Sequence, residues 1–281
     1  MDIKSKASRK GNHSPRRPTG GTPRKIKSFS RALLKNKRLI SGGALLIAVT
    51  LIFWVVNSPS VVGVSAAARK LPIYCVRRDN KTASLTFDAA WGNEDTGHLI
   101  EILGKYNIRA TFFVVGDWVQ KYPESVKQLA DAGHEVMNHS NDHAHFNKLS
   151  AEQITANVDA CNDKIEAVTG VRPHLFRPPY GEYNDNVVST LTGMGMFVIQ
   201  WDCDSLDWKD LSAAEITRRV LGGVSSGSIV LVHNAAKHTP EALPGIIEAL
   251  LADGFELVPV SELILSGEYE MDHTGRQIPK N

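Results

Sequence analysis

The stretch Ser84-Leu85-Thr86-Phe87-Asp88 reads as a short apolar strand closed by a carboxylate, and the chain repeats that form downstream. Strands are expected at Ser84–Phe87, Thr111–Val115, Glu135–Asn138, Leu175–Arg177, Phe197–Trp201, Ser228–Val232 and Glu256–Pro259. Helices with legible ends lie between them. Pro123 opens one that Gly133 closes, and Pro240 opens one that Gly254 ends. Ser150-Ala-Glu-Gln153 and Ser212-Ala-Ala-Glu215 are capping boxes, in which hydroxyl and carboxyl or amide side chains satisfy the free N–H groups of a first helical turn. The helix from Ser150 ends at Gly170. Seven strands alternating with helices predict an α/β fold around a parallel sheet, closed as a barrel or doubly wound.

Polar residues at the strand ends separate these options. Asp88 follows the first strand, His139 and His143 the third, Asp204 and Asp207 the fifth and His233 the sixth, while Arg177 ends the fourth. A barrel gathers the C-terminal ends of its strands at one mouth, whereas an open sheet spreads them along a line and binds at a crevice. Five contributing strands favour the barrel.

Each of these residues also has a plainer reading. His139-Ser-Asn-Asp-His143 puts two imidazoles four residues apart, which on a helical turn aims both at one side, as a divalent metal requires. That spacing also arises by chance. His145 is a further ligand or a neighbour of the pair. Asp88 could simply cap the next helix, and His233, ending Leu231-Val-His233, could be a satisfied core histidine. Arg177-Pro-Pro-Tyr-Gly181 is more specific, because two prolines and a glycine fix the backbone behind the guanidinium. Asp204-Ser-Leu-Asp207-Trp208 places two acids and an indole after a strand.

Outward from this domain, composition changes sharply. The 281 residues carry a net charge of only +2, yet residues 1–38 hold thirteen Lys/Arg against one acid, Asp2. The remainder holds 19 bases and 29 acids. Leu39–Val56 is uncharged, and eighteen helical residues span roughly 27 Å, about one hydrocarbon core. Bases only on its N-terminal side place 1–38 in the cytoplasm and the rest across the membrane. A cleaved signal peptide, with Ala66-Ala67-Ala68 for the peptidase, competes; the charged region is too long for one. The expected organisation is a disordered basic tail (1–38), a single transmembrane anchor (39–56), a linker and lead-in (57–80), the α/β domain (81–265) and a polar tail (266–281). Attraction to anionic lipid explains the basic tail without nucleic acid, since Phe29 is its lone aromatic. Cys75, Cys161 and Cys203 offer no C-x-x-C spacing and read as small buried hydrophobes.

In order and position, the motifs resemble the polysaccharide deacetylases of the NodB-homology family (carbohydrate esterase family 4). They stand as Thr86-Phe87-Asp88-Ala89, His139-Ser140-x-x-His143, Arg177-Pro178-Pro179-Tyr180-Gly181, Asp204-x-x-Asp207-Trp208 and Leu231-x-His233, within residues 80–265. Trp91-Gly92-Asn93-Glu94 looks like the sporulation-associated branch. The resemblance implies a distorted seven-stranded (β/α) barrel. It implies a divalent metal, commonly zinc or cobalt, on His139 and His143. Asp88 would be the general base, paired with Arg177, and His233 the general acid, oriented by Asp207. The Tyr180 N–H would hold the oxyanion, and Trp208 and Leu231 would wall the acetyl pocket. The family's second aspartate of the first motif, its third metal ligand, is here Ala89. Glu94, Asp95 or water could replace it, Asp88 could shift onto the metal, or the metal site is lost.

Three functions follow as expectations. The first is an extracytoplasmic, membrane-anchored hydrolase that removes N-acetyl groups from peptidoglycan or another N-acetylglucosamine polymer. The second is a non-catalytic surface domain that binds glycan, motivated by Ala89. The third is an O-acetyl esterase, which membrane retention disfavours. The preferred sugar, the metal and the oligomeric state leave no mark in the motifs.

Overall fold

Strand β2 (Thr82–Ala89) organises the second of two units, Arg69–Asn281, into which the computed structural model divides the chain. The structure describes residues 42–55 and 69–280. Residues alternate across a strand. Ala83, Leu85, Phe87 and Ala89 accordingly enter an apolar layer shared with Leu99, Leu103, Ile216 and Ile246 of the surrounding helices. Ser84 and Thr86 use their hydroxyls on the carbonyls of Val258 and Val230, at 2.7 and 2.6 Å.

Parallel partners extend the sheet on both sides of β2. They are β3 (Thr111–Val114), β4 (Glu135–Asn138), β5 (Leu175–Phe176), β6 (Phe197–Val198), β7 (Cys203–Asp204) and β8 (Ile229–His233). Their order is β6-β5-β4-β3-β2-β8-β7, seven strands curled into a half-barrel. The seventh strand of the sheet is Cys203–Asp204, which the sequence reading passed over. The expected strand at Glu256–Pro259 forms only as β9 (Glu256–Leu257), paired with the start of β2 off the main path. Inside the curl, Phe113, Met137, Leu175, Ile199 and Ile229 build a second apolar core.

The helices are α1 (Thr96–Lys105), α2 (Gly116–Lys121), α3 (Pro123–Asp131), α4 (Ala151–Thr169), α5 (Asp185–Gly193), α6 (Ala213–Gly223), α7 (Thr239–Ala252) and α8 (Val260–Leu263). Both capping boxes form as expected, Ser150 accepting from the Gln153 N–H and Ser212 from the Glu215 N–H. Replacing Ser150 with alanine is expected to lower stability by about 1 kcal/mol, read as a lower urea midpoint at unchanged slope. Removing this cap from α4 leaves the strand ends in place, so binding properties of the domain should not move.

The lead-in and the C-terminal stretch join the same unit. Strand β1 (Cys75–Val76) pairs in parallel with β11 (Arg276–Pro279), which forms an antiparallel hairpin with β10 (Tyr269–Met271). Gly227 allows β1 to approach β8: its φ is +86°, and a Cβ there would lie 1.6 Å from the Val76 carbonyl oxygen. All three cysteines are free and buried.

In the first unit, residues 42–55 form an exposed helix. The basic stretch 1–38 and the ends of the expected 39–56 span lie outside the described residues. Among the described residues, no helix is long and apolar enough to cross a membrane.

Candidate active site

Parallel register brings the strand ends level. Asp88 on β2 sits directly opposite Phe113 on β3 and His233 on β8, and Asn138 on β4 sits opposite Phe176 on β5. The residues that follow these positions therefore meet. They line a cleft of about 530 Å³ whose walls include Asp88, His139, His143, Tyr180, Trp208, Leu231 and His233. A smaller groove elsewhere, lined by Leu71, Ile73, Val188, Met196, Tyr269 and Met271, carries no carboxylate or imidazole.

Arg177 is the hub of the cleft floor. Its side chain is wholly buried, stacked 4.2 Å over the Phe113 ring and 5.6 Å from Trp201. Nη1 donates to Asp88 Oδ1 (2.7 Å) and Thr86 Oγ1 (2.9 Å), and Nη2 to the Gln200 carbonyl (3.2 Å). Burial works against a charge on Asp88, but the Arg177 guanidinium, with His139 and His233 nearby, holds its carboxyl below the usual range. Asp88 caps no helix; that position before α1 is Asp95.

The Arg177 carbonyl meets Nδ1 of His139 at 2.8 Å. A carbonyl only accepts, so Nδ1 carries the proton and Nε2 keeps a lone pair. Burial lowers the His139 pKa, and burial with His139 alongside lowers that of His143 to about 4. Both rings are thus neutral imidazoles, the form that binds a metal. Their centroids are 5.1 Å apart.

A helical turn does not bring them there. The segment from His139 to His143 is a loop, with Ser140 at φ +74° and His143 at φ +55°. The Ser140 N–H donates to Asn138 Oδ1 and the His143 N–H to Ser140 Oγ, so side chains take the bonds a helix would have made. His145 stacks on Tyr180 (4.5 Å) and its Nδ1 lies 3.0 Å from Glu182 Oε2.

His139 Nε2 faces Asp88 Oδ2 at 3.5 Å. The free Nε2 lone pair of His139, with the His143 ring alongside, fits a divalent ion whose charge the neighbouring Asp88 carboxylate would offset. A third ligand from the first motif does not form. Ala89 packs in the helix-facing core beside Leu85 and Phe87, while Asp88 and Ala90 line the cleft. Asp95 Oδ2 accepts from the Ala235 N–H and Glu94 Oε2 from the Asn93 N–H, so neither joins the histidines. Among the described residues no cluster of three His, Cys, Asp or Glu is placed to hold an ion.

On the other wall, Asp207 is buried and reads His233 twice. Its Oδ1 lies 2.7 Å from His233 Nδ1, and Oδ2 accepts from the His233 N–H (2.8 Å) and the Thr239 hydroxyl (2.6 Å). Burial alone would lower the His233 pKa, but Asp207 outweighs it and the ring titrates above its usual value. Tyr180 sits in left-handed backbone (φ +59°) between Pro179 and Gly181, and its N–H has no protein acceptor among the described residues. Strain of that kind in a non-glycine residue collects at binding sites. Leu231 is buried, whereas Tyr180 and Trp208 are 57% and 58% exposed at the rim. Trp91, marked in the sequence only within Trp91-Gly92-Asn93-Glu94, also lines the cleft, and Asn234, which the sequence did not single out, donates to its carbonyl.

The description "polysaccharide deacetylase" belongs to the family model that matches residues 76–199. Peptidoglycan-N-acetylmuramic acid deacetylase PdaC of Bacillus subtilis (strain 168) is 38% identical over 185 residues, 66% of this chain and 39% of that protein. The chain spans about two fifths to three fifths of the length of the first curated relatives it matches. The crystal structure of BA3943, a CE4 family pseudoenzyme from Bacillus anthracis, superposes with a TM-score of 0.67 at 33% identity, covering 74% of this chain and 70% of that one. A BA3943 mutant with restored enzymatic activity superposes with the same TM-score at 34% identity, covering 74% and 73%.

Proposed function

The chain belongs to the polysaccharide deacetylase family, and we propose that its cleft hydrolyses the N-acetyl groups of peptidoglycan sugars. The observation that carries this reading is the pairing of two opposed ionisable residues on adjacent strands. Asp88, held anionic by Arg177, and His233, whose hold on its proton Asp207 strengthens, are register partners on one cleft. Acid–base hydrolysis needs such a base and acid with separated pKa values.

The chemistry follows from these atoms. Arg177 occupies Asp88 Oδ1 and leaves Oδ2 to take a proton from the attacking water. The water oxygen bonds to the acetyl carbon, and the Tyr180 N–H accommodates the negative charge that gathers on the carbonyl oxygen. His233, with Nδ1 committed to Asp207, delivers its Nε2 proton to the sugar nitrogen as the C–N bond breaks. Acetate and a free amino sugar result. Leu231 and Trp208 wall the acetyl methyl. A divalent ion, zinc or cobalt, held by His139 and His143 would polarise the carbonyl.

Asp207→Asn is expected to move the alkaline limb of the pH–rate profile to lower pH. The reasoning is one of sign: Asp207 raises the His233 pKa, the acid acts only when protonated, and activity is lost as pH rises through that pKa. An unmoved alkaline limb would remove His233 from the acid role.

Ala89 and the likeness to a pseudoenzyme favour a second reading, a domain that binds wall glycan without hydrolysing it. Acetate release by the full chain from purified peptidoglycan, with zinc or cobalt added, separates the two. Release accompanied by new sugar amines supports the hydrolase; glycan binding without release supports the binding domain. We place the cleft outside the cytoplasmic membrane, with the basic stretch 1–38 on the cytoplasmic side of an anchor at 39–56. Protease accessibility of the 69–281 unit on intact protoplasts tests that placement.

A further inference from the structure

Trp91 is an exposed indole on a rigid turn, and nothing in the hydrolytic scheme uses it. Its side chain is 60% exposed, yet it lines the cleft beside the catalytic groups, its ring 5.6 Å from that of His143. The Tyr180 ring lies 4.4 Å from the same imidazole. Both aromatics thus neighbour His143 and line the cleft.

The turn that carries Trp91 is fixed from two sides. Buried Asn234, the residue after His233, accepts from the Ala90 N–H (3.3 Å) through Oδ1. Its Nδ2 donates to the carbonyls of Trp91 (2.6 Å) and Gly92 (2.9 Å). Trp118 Nε1 also donates to the Gly92 carbonyl, and Asn93 Nδ2 donates to Ser125 Oγ (3.0 Å). Gly92 takes φ +49°, and a Cβ on it would lie 2.4 Å from Glu94 Oε2. The turn is therefore held by five hydrogen bonds from three residues, Asn234, Trp118 and Ser125, while the indole it presents stays in water. An exposed indole carried on a pinned backbone at a cleft offers a ligand surface whose backbone ordering cost is met before binding.

We propose that Trp91 is a stacking platform for the apolar C–H face of a sugar ring, next to the residue whose acetamido group enters the cleft. The inference rests on the proposed reading and adds to it a contact position for a neighbouring sugar of the glycan. A pyranose presents axial C–H groups on one face and hydroxyls at its edge, which suits an indole with its face free and polar groups around it. Trp91 touches substrate but no reacting atom, so it sets affinity and chain-length preference.

The test is titration of the full chain with N-acetylglucosamine monomer and tetramer, for the wild type, Trp91→Ala and Trp91→Phe. Tryptophan emission and calorimetry supply the binding readouts, and acetate release supplies KM and kcat. Trp91→Ala should weaken tetramer binding about tenfold, the worth of one aromatic contact, and raise KM with kcat held. Trp91→Phe should keep most of the affinity while losing the sugar-induced emission shift. Monomer binding should barely change. If Trp91→Ala binds the tetramer as the wild type does, the platform is refuted while acetate release can still uphold the deacetylase. If the wild type binds tetramer through Trp91 but frees no acetate, the platform stands and the hydrolase reading falls. A wild type that binds no tetramer overturns the platform outright.

Discussion

Asp88→Asn is expected to cut acetate release by a factor of about 10² to 10⁴, the range a positioned general base contributes. Asparagine keeps an oxygen for Arg177 Nη1 but has no lone pair basic enough to take the water proton. Glycan affinity should stay within about twofold, since the rim contacts of Tyr180, Trp208 and Trp91 remain and this lies within the noise of one weak contact. The substitution also leaves Arg177 as a buried cation without its counter-charge, so the assay belongs well below the melting temperature of the variant. Single-turnover acetate release at saturating glycan checks the claim. A variant that keeps wild-type turnover would assign the proton transfer elsewhere and dismantle the Asp88–His233 scheme.

Arg177→Met carries the largest expected cost in stability, about 3–5 kcal/mol at neutral pH, because it strands the Asp88 carboxylate in a buried site. Methionine preserves apolar contact with Phe113 and Trp201, so the loss is chiefly electrostatic. Its pH dependence identifies the cause. In the wild type the folded Asp88 pKa lies below its unfolded value, so the carboxylate contributes stability above the unfolded pKa and loses it as pH falls through the folded one. Without Arg177, burial, the largest influence on Asp88, is opposed only by the nearby His139 and His233, and the folded pKa moves up past the unfolded value of about 3.9. The variant then suffers most where Asp88 must fold charged, and the deficit shrinks as pH drops toward that value. Urea unfolding of both proteins at neutral pH and near pH 4 measures this. An equal deficit at both pH values would show that the Thr86 and Gln200 hydrogen bonds dominate.

Much of the fold was legible because its signals are local. Ser150 and Ser212 announce their helices through side chains that reach only three residues, and both boxes form. Gly170 and Gly254 mark helix ends by their left-handed backbone. Strand β7 was not legible: Cys203–Asp204 is two residues long, and it exists because β8 lies beside it. The apolar alternation Leu85, Phe87, Ala89 against Thr86, Asp88 did contain the direction of Ala89, since period two sends it to the helix-facing core. The expected third-ligand position thus faces away from the cleft.

At the site, Asp88, His139, His143, Arg177, Asp207, Tyr180, Trp208, Leu231 and His233 are brought together as strand-end residues should be. What connects them was hidden. The Arg177 carbonyl that sets the His139 tautomer and the Asn138–Ser140 side-chain bonds that bend the histidine loop depend on neighbours distant in sequence or on unpatterned turns. Trp91 was visible only as part of Trp91-Gly92-Asn93-Glu94. Its use required knowing that Asn234, 143 residues on, pins that turn.

The central claim, that this cleft removes N-acetyl groups from wall glycan, is tested most directly by mass spectrometry of peptidoglycan fragments. The digest follows incubation with the full chain and added cobalt or zinc. The account predicts glycan sugars bearing free amines in step with acetate released, and neither product with Asp88→Asn. Unmodified N-acetyl sugars, from a folded chain that binds the glycan, would contradict it and leave a binding domain in its place.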